Sequence, residues 1–325
     1  MSLTSSELQD ILAFATQVAR SAGDLILQGS KAILSSGTVD EKKNAVDLVT
    51  EYDVKVEELV KKELRSKYPD FKFARWPLNL GSIGEESYYA GGSKTLLTDE
   101  PTFCVDPIDG TTNFVHGFPH VAVSIGLIQN QRPVLGVIYN PFLDLLYTGV
   151  KGQGSYLSAR GKAPVKLPIA KPKPLESLSK GLLAVEWGYD RSGSAIQAKG
   201  ESFKRLAGNP NEGVQGGKMA HSLRSLGSAA LNFALVAQGG LDLYWEHGTS
   251  PWDITAGVII AQEAGGFVAG ARNLPLDNDV NGEVLFGKKH IVVRAIGDTK
   301  DEKGVDAQKR IIKDLFDTVE DFTPA

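Results

Sequence analysis

Two aspartates near the middle of the chain stand where an apolar strand gives way to a glycine-containing turn. Asp106 and Asp109 are three positions apart in the stretch CVDPIDGTTN, with Pro107 between them. A buried carboxylate is strongly unfavourable unless a cation or hydrogen-bond donors pair with it. No lysine or arginine occurs between Lys94 and Arg132, so the neighbouring sequence offers no cationic partner. The pair therefore predicts a hard divalent cation such as Mg²⁺, which prefers carboxylate and carbonyl oxygens.

The residues around this pair have the chemistry of a phosphate site. GTTN supplies the open backbone N–H groups of a glycine turn and of a helix N-terminus, both of which attract an anion. Two further acids, Glu85 in IGEES and Asp253 in WDITAG, stand at a strand end and at a helix start. Carboxylates gathered from distant parts of a chain suit a two-metal site, with ions roughly 3.5–4 Å apart, that clamps both oxygens of an in-line displacement. The pattern predicts metal-dependent phosphoryl chemistry.

Two amphipathic helices are predicted in the first 70 residues. Thr4 and Glu7 have the spacing of a capping box, and the apolar residues that follow recur at helical intervals until Gly29, where this helix should end. A second helix should span about residues 50–68 and stop ahead of a proline. Asp47 lies just before this helix, so its position alone favours a role as a cap or turn residue.

The rest of the chain is predicted to form two sheet-containing lobes, which makes the protein α/β. An N-terminal lobe, 1–158, would carry most of the metal ligands, and a C-terminal lobe, 181–325, would carry the substrate pocket and Asp253. The Lys- and Pro-rich stretch between them, 159–180, is interpreted as an exposed loop. The strand-like segments are FKFA, GSIGEE, TFCVD, VAVSIGLIQN, PVLGVIYN, DLLYTGV, GLLAVEW, LDLYWE and HIVVRAIG. Helices are expected over SAALNFALVAQGG, over 252–264 and within GVDAQKRIIKDLFDTV.

Composition favours a small-molecule partner. The 325 residues are 42% hydrophobic, which is enough for a substantial core. The formal charge is −4, and no run of like charge is long enough to bind nucleic acid or an anionic membrane. A single cysteine fits a reducing compartment, and no apolar run approaches the ~20 residues that span a bilayer. We expect a soluble, cytoplasmic protein.

Four sequence elements resemble those of the inositol monophosphatase family. GEES, DPIDGTTNFVHGFP and PWDITAG are similar to its three signatures, and NAVDLVTEYD is similar to an element upstream of them, in the same order over roughly residues 5–295. The long central motif is the most specific of the four. The resemblance implies a layered αβαβα sandwich of the sugar-phosphatase type. It also implies Mg²⁺-dependent hydrolysis of inositol monophosphate by a metal-activated water, inhibition by lithium, and a homodimer.

The resemblance also implies a set of metal ligands. Glu85, Asp106 and the backbone carbonyl of Ile108 would hold one Mg²⁺. Asp106, Asp109 and Asp253 would hold a second, and Glu85 with waters would hold a third, weaker one. Glu85 is therefore expected among the catalytic residues, and two or three ions are expected in the site.

Phosphate and substrate contacts follow from the same comparison. The N–H groups of Gly110 and Thr111 would bind phosphate. Thr111, hydrogen-bonded to Asp47, would orient the attacking water, so the resemblance gives Asp47 a catalytic role that its position alone does not suggest. The residues expected to contact the substrate's hydroxyls are Asp109, Ala229 and Glu246.

The chain departs from the family's compact forms around the expected pocket. The segments ARWPLNLGS and AGGSKTLLTDEPT, on either side of Glu85, are longer than their counterparts, and so is the Lys- and Pro-rich loop. Tyr189 in VEWGYD takes the place of a serine that animal members carry near the sugar pocket. These differences are expected to reshape the rim of the pocket and the contacts to the alcohol.

Related phosphatases are the alternatives to this interpretation. A 3′,5′-bisphosphate nucleotidase, a histidinol-phosphate phosphatase or another sugar or polyol phosphatase would share the chemistry, and the sequence does not rank their substrates. A non-catalytic regulatory homologue is disfavoured by the complete set of acids. A haloacid-dehalogenase-type phosphatase would need two acids two positions apart, whereas Asp106 and Asp109 are three apart. VQGGKMAH lacks the first glycine of a P-loop, because Glu212 occupies its place.

Overall fold

The computed structural model describes residues 2–36, 40–41, 48–49, 51–74 and 97–322. In these ranges the chain forms five layers in the order helices, sheet, helices, sheet, helices, which confirms the αβαβα sandwich. None of the helices described combines the length and the apolar character needed to cross a bilayer. The strand expected at GSIGEE, which contains Glu85, lies outside the described residues.

The first helical layer and the first sheet come from the N-terminal half. The layer contains α1 (Ser5–Ser36) and α2 (Glu51–Lys67), with a short antiparallel pair, β1 (Asp40–Glu41) and β2 (Leu48–Val49), between them in sequence. Among the described residues the sheet has seven strands in the spatial order of the sequence, and of these only the first pair is parallel. These strands are β3 (Lys72–Ala74), β4 (Thr102–Asp109), β5 (Ala122–Gln129), β6 (Arg132–Asn140), β7 (Leu145–Val150), β8 (Gly154–Ala159) and β9 (Val165–Lys166), and the short helix α3 (Thr111–His116) follows β4.

The remaining three layers come from the C-terminal half. In chain order the elements are β10 (Leu182–Val185), α4 (Gly193–Ala207), β11 (Ser222–Arg224), α5 (Ala229–Gln238), β12 (Leu243–His247), α6 (Pro251–Glu263), β13 (Phe267–Ala269), α7 (Gly282–Leu285), β14 (Lys289–Val293) and α8 (Gly304–Thr318). The five strands are ordered β11-β10-β12-β14-β13. Helices α5 and α6 form the middle layer between the two sheets, and α4 and α8 cover the outer face of the second sheet.

Three apolar clusters hold these layers together. The first lies between α1, α2 and the first sheet, the second lies around α5 and α6 between the two sheets, and the third lies between the second sheet and α8. Burying one large aliphatic or aromatic side chain contributes about 1.5–3 kcal/mol. Representative fully buried members are Ile26 and Leu127 in the first cluster, Phe233 and Ile260 in the second, and Leu243 and Ile311 in the third. Because the second cluster joins both halves, the middle helices are held directly against β4 and its neighbours.

Helix α1 begins as the sequence predicts but does not end there. The Thr4 backbone N–H donates to Glu7 at 2.7 Å, and the Glu7 N–H donates to the Thr4 hydroxyl at 3.3 Å, so the capping box is confirmed. The predicted end at Gly29 is wrong, because the helix continues to Ser36. A Cβ on Gly29 would lie 2.5 Å from the ring of Tyr52. This glycine therefore permits close packing of α1 on α2 and is not a helix terminator.

Helix α4 was not predicted, and its composition explains why. Its buried positions are Ala195, Lys199, Ser202 and Leu206, which follow the spacing of a helix face. Two of these four residues are polar, so no apolar stripe marks the helix in the sequence. The other predicted helices and strands that fall within the described residues are observed, with ends shifted by a few residues.

The Lys- and Pro-rich stretch 159–180 is attached to the fold more firmly than a simple exposed loop. Val165–Lys166 pairs with β8 at the edge of the first sheet. Leu175 and Leu178 are buried in the third cluster, beneath the second sheet. The stretch therefore connects the two sheets through contacts at both of its ends.

Candidate metal and phosphate site

A β-bulge brings the two central aspartates to one face of the first sheet. Asp106 pairs with Ser124 of β5 and Asp109 pairs with Ala122, so three steps along β4 oppose two steps along β5. Residues two apart on a strand share a face, whereas residues three apart do not unless a bulge intervenes. Pro107 lies within the bulge, where a residue without a backbone N–H is tolerated. The unusual spacing in DPID is therefore what places both carboxylates on the same side.

Asp109 points at the start of helix α5. Its carboxylate accepts hydrogen bonds from the Ser228 hydroxyl, from the Ala230 N–H at 2.9 Å and from the Ala229 N–H at 3.3 Å. The positive end of a helix favours an anion at this place. Burial nevertheless raises the pKa of Asp109 to about 7, and the nearby Asp253 carboxylate adds to the rise. Ala229, which was predicted in the substrate pocket, is thus held against Asp109 through its backbone.

Asp106 is also buried, with 4% of its surface exposed. Its Oδ1 accepts a hydrogen bond from the Ile108 N–H at 3.1 Å, within the bulge itself. Burial raises the pKa of Asp106 well above its ordinary value, and the carboxylates of Asp109, Asp253 and Asp53 raise it further. Four acids from β4, α6 and α2 therefore act on one another in a buried space.

Asp253 reaches this space from the first turn of α6. Its Oδ2 accepts a hydrogen bond from the Ser250 N–H at 2.7 Å, which fixes the carboxylate at the helix start. Two glycines let α6 lie close to the sheet. A Cβ on Gly126 would lie 2.5 Å from the Thr255 side chain, and one on Gly136 would lie 2.4 Å from a backbone oxygen of α6. The sequence of β5 and β6 thereby sets how near Asp253 comes to β4.

Thr111 is the first residue of α3 and interacts with the bulge. Its Oγ1 lies 3.1 Å from the Ile108 carbonyl oxygen and 3.5 Å from Oδ1 of Asp53 in α2. Asp53 is only 1% exposed. The sequence pointed instead to Asp47 as the partner of Thr111, and Asp47 lies outside the described residues. Within the part of the chain that the structure describes, the carboxylate next to Thr111 is that of Asp53.

A signal for Asp53 was present in the sequence. The buried residues of α2 are Asp53, Val56, Glu57, Val60 and Leu64, which repeat at the spacing of one helix face. An acid on the apolar face of an amphipathic helix is a better candidate for a functional role than an acid ahead of the helix. Both aspartates belong to the motif VDLVTEYD, and only the helical periodicity separates them.

Gly110 forms the turn between β4 and α3, where only glycine fits. Its φ of 89° is in the left-handed region. A Cβ would also lie 2.9 Å from the His120 carbonyl oxygen and 3.0 Å from that of Gly227. The first N–H groups of any helix have no acceptor within that helix, and those of α3 begin at Thr111. The role of Gly110 and Thr111 in binding phosphate stays a prediction that this geometry suits.

Glu246 on β12 belongs to the same electrostatic cluster. The Tyr244 hydroxyl donates a hydrogen bond to its Oε2. Burial raises the pKa of Glu246 well above its ordinary value, with further contributions from Glu186, Asp253 and Asp109. Glu246 is therefore a constrained acid beside the two aspartates, and not a freely solvated residue at a strand end.

Glu186 was not identified from the sequence. It follows β10 and is 7% exposed, and its carboxylate secures the turn that leads into α5. Its four donors are the Ser225 hydroxyl, the Leu226 N–H, the Gly227 N–H and the Asn232 amide, at 2.7–2.9 Å. An acid after a short strand carries no sequence signal for such a role, because its donors come from residues about 40 positions away.

The donor set fits a hard divalent cation. Asp106, Asp109, Asp253 and the Ile108 carbonyl offer only oxygen, which Mg²⁺ prefers. The raised pKa values of Asp106 and Asp109 are the expected response of buried carboxylates that lie near other carboxylates. Among the described residues, no three His, Cys, Asp or Glu side chains already converge on one ion position. Glu85, the expected shared ligand, lies outside these residues.

Comparisons with known proteins agree with this chemistry. The chain matches the model of the inositol monophosphatase family over residues 7–311. It is 41% identical to Protein qutG of Emericella nidulans over 96% of this chain and 93% of that protein. It is 42% identical to Inositol monophosphatase 2 of Saccharomyces cerevisiae over 73% and 76% of the two chains. The solved inositol monophosphatase of Anabaena (Nostoc) sp. PCC 7120 is 28% identical, with a TM-score of 0.67 over 96% of this chain and 97% of that chain. Sequence, fold and acid cluster agree, and the chain belongs to the inositol monophosphatase family.

Proposed function

We propose that the protein hydrolyses inositol monophosphate to inositol and phosphate with Mg²⁺ as its cofactor. Its family makes it a phosphatase of the inositol monophosphatase type. The observation that carries the proposal is that the carboxylates of Asp109 and Asp253 lie near enough to Asp106 to raise its pKa, at the end of the strand that leads into α3. In-line phosphoryl transfer depends mainly on charge neutralisation and positioning, which such a cluster supplies without a protein nucleophile.

Different residues would bind the metal ions and the phosphate group. Asp106, Asp109, Asp253 and the Ile108 carbonyl would hold the metal ions, together with Glu85. Bound Mg²⁺ neutralises phosphate charge and lowers the pKa of water. The N–H groups at the start of α3 bind the phosphate oxygens and hold them in line.

The hydroxyl of Thr111 orients the attacking water. Its proton points to Asp53 or to the Ile108 carbonyl, so its lone pairs are free to accept a hydrogen bond from the water. Asp53 thereby fixes the direction of the Thr111 hydroxyl and favours removal of a proton from the nucleophile. In this proposal Asp53 acts on Thr111 in addition to Asp47, whose catalytic role remains the one that the resemblance implies.

The charge of the pocket favours a polyol as the alcohol. Glu246 can accept hydrogen bonds from substrate hydroxyls, and Glu186 lies behind it. These acids offer no cationic partner to a second phosphate, as in a 3′,5′-bisphosphate nucleotide, whereas a neutral hydroxyl can hydrogen-bond to a carboxyl group in either protonation state. The acidic pocket therefore supports a neutral polyol monophosphate over the bisphosphate alternative.

A panel of phosphate esters tests the proposal. Phosphate release from inositol 1-phosphate should exceed release from adenosine 3′,5′-bisphosphate and from histidinol phosphate. Chelation should abolish the release and added Mg²⁺ should restore it. Preferred turnover of histidinol phosphate would move the protein to the alternative substrate class, and hydrolysis that needs no metal would contradict the mechanism.

Three further properties belong to the same proposal. Lithium should inhibit phosphate release, which a titration at fixed Mg²⁺ measures. The protein should form a homodimer, which light scattering measures. A cytoplasmic location completes the proposal, and fluorescence microscopy of the tagged protein tests it.

Asp53→Asn should lower kcat by a factor on the order of 10², with little change in KM. The amide keeps the shape of the side chain but removes its negative charge. The Thr111 hydroxyl is then held less firmly in its orientation towards residue 53. Asp47→Asn should also lower kcat, since the resemblance gives Asp47 a catalytic role. Loss of turnover in Asp47→Asn with Asp53→Asn unaffected would show that Asp53 has no part in orienting the Thr111 hydroxyl.

A further inference from the structure

A buried lysine lies beneath the loop that joins β10 to α4. Lys199 is 2% exposed, although lysine is almost never fully buried without partners. Its ammonium donates hydrogen bonds to the backbone carbonyl of Trp187 and, at 3.0 Å, to that of Asp190. Residues 187–190 are called the pocket loop below. A single charge thus fixes both ends of this loop.

The chain beyond α8 covers this ammonium. The Phe322 ring centroid lies 5.3 Å from Nζ of Lys199, in the geometry of a cation–π contact, and 4.6 Å from the ring of His247. The neighbouring residue Asp321 pairs with Lys289, and the Glu320 N–H donates to Ser202 of α4 at 2.9 Å. The C-terminal residues 319–322 therefore close the space around Lys199 from behind.

The pocket loop separates Lys199 from Glu246. Gly188, with a φ of +57°, stands between them: a Cβ there would lie 3.4 Å from Nζ of Lys199 and 3.6 Å from Oε1 of Glu246. The next residue, Tyr189, lies against the turn that leads from β12 to α6, since its ring carbon is 3.6 Å from the Cβ position of Gly248. The loop is thus a wall between the buried ammonium and the acid expected to contact the substrate.

We propose that Lys199 is a positioning residue that sets which alcohol the enzyme accepts, by fixing the pocket loop, with Gly188 next to Glu246 and Tyr189 against the turn after β12. The inference rests on the proposed phosphatase function and concerns the substrate side of that site. Removal of the ammonium takes the shared donor away from two partly buried carbonyl groups at the ends of the loop, so the loop loses the contact that joins them. Asp106 and Asp109 have no contact with Lys199 among the interactions described, so the chemical step should be affected far less than substrate selection.

Lys199→Met removes the charge and keeps the length of the side chain. We expect kcat/KM for inositol 1-phosphate to fall about 10- to 100-fold, mainly through KM. The value for ethyl phosphate, whose alcohol is too small to reach across the pocket, should change by less than about threefold. Lys204→Met is the matched control, because Lys204 lies on the same helix with 59% of its side chain exposed and should leave both values unchanged.

Two further measurements test the role of Lys199 if Lys199→Met folds poorly or if the enzyme does not act on inositol 1-phosphate. Phe322→Ala uncovers the ammonium and should shift the ratio of the two kcat/KM values in the same direction. Tryptic cleavage after Arg191, whose side chain donates to the Gly188 carbonyl at 2.9 Å, should be faster in both variants and needs no activity. If the wild type hydrolyses no phosphate ester, the proposed function fails while the cleavage rates still judge the loop. A folded Lys199→Met enzyme with an unchanged ratio, or with cleavage no faster than the wild type, would overturn the role of Lys199.

Discussion

Asp253→Asn is expected to lower kcat for phosphate release on the order of 10²-fold or more while the protein stays folded. The asparagine oxygen can still accept the hydrogen bond that the Ser250 N–H donates at the start of α6. The variant loses one of the three negative charges that Asp106, Asp109 and Asp253 can offer to a metal ion. The measurements are steady-state phosphate release and calorimetric titration with Mg²⁺, which should bind more weakly.

A second aspartate provides the control for this prediction. Asp306 also stands in the first turn of a helix, α8, but it is exposed and far along the chain from the cluster. Asp306→Asn should therefore leave turnover and Mg²⁺ affinity unchanged. Turnover of Asp253→Asn close to that of the wild type would show that the third acid of the cluster is not needed.

In the presence of a chelator, the Asp106→Asn variant should be more stable than the wild type at pH 8. Burial and the neighbouring acids Asp109, Asp253 and Asp53 raise the pKa of Asp106 well above its usual value. Between pH 4 and the folded-state pKa, the folded protein then binds more protons than the unfolded chain, so its stability falls as the pH rises. The asparagine removes this penalty and can donate a hydrogen bond to a neighbouring carboxylate.

The difference between the two proteins isolates the effect from the other titrating groups. The gain in the free energy of unfolding should increase as the pH rises towards 8 and should vanish below about pH 4, where the aspartate is protonated in both states. With saturating Mg²⁺ the wild type should become the more stable of the two proteins, because a bound ion stabilises the folded protein that binds it more tightly. Urea unfolding at several pH values, with chelator and with Mg²⁺, measures all three effects. A difference that is constant with pH would show that Asp106 has its ordinary pKa in the folded protein.

The sequence was informative where the chemistry is local. DPIDGTTN contains the acids, the bulge and the helix start within eight residues, so Asp106, Asp109 and Thr111 could be found without a structure. The αβαβα fold followed from the resemblance that this stretch and its companions carry. The apolar periodicity of α1, α2 and the strands then placed most elements correctly.

The parts that could not be predicted depend on contacts between distant segments. Glu186 has no role until the chain returns some 40 residues later with four donors. Lys199 occupies a position where a helix face normally carries an apolar residue, which is one reason why α4 was not predicted from the sequence. In the structure the same lysine donates a hydrogen bond to the pocket loop. Gly29 was predicted to end the helix because glycine is common just after a helix. The sequence around Gly29 gives no sign that the ring of Tyr52 packs against it.

The bulge in β4 limits how this site can arise and be lost. In a regular strand, acids three positions apart would point into opposite layers, and exchanging side chains alone would not reunite them. An ancestor with an unbroken ladder would therefore need a change in backbone length, an insertion of one residue, before two acids with this spacing could share an ion. By the same reasoning, deletion of either Pro107 or Ile108 should inactivate the protein more completely than replacement of either residue by alanine.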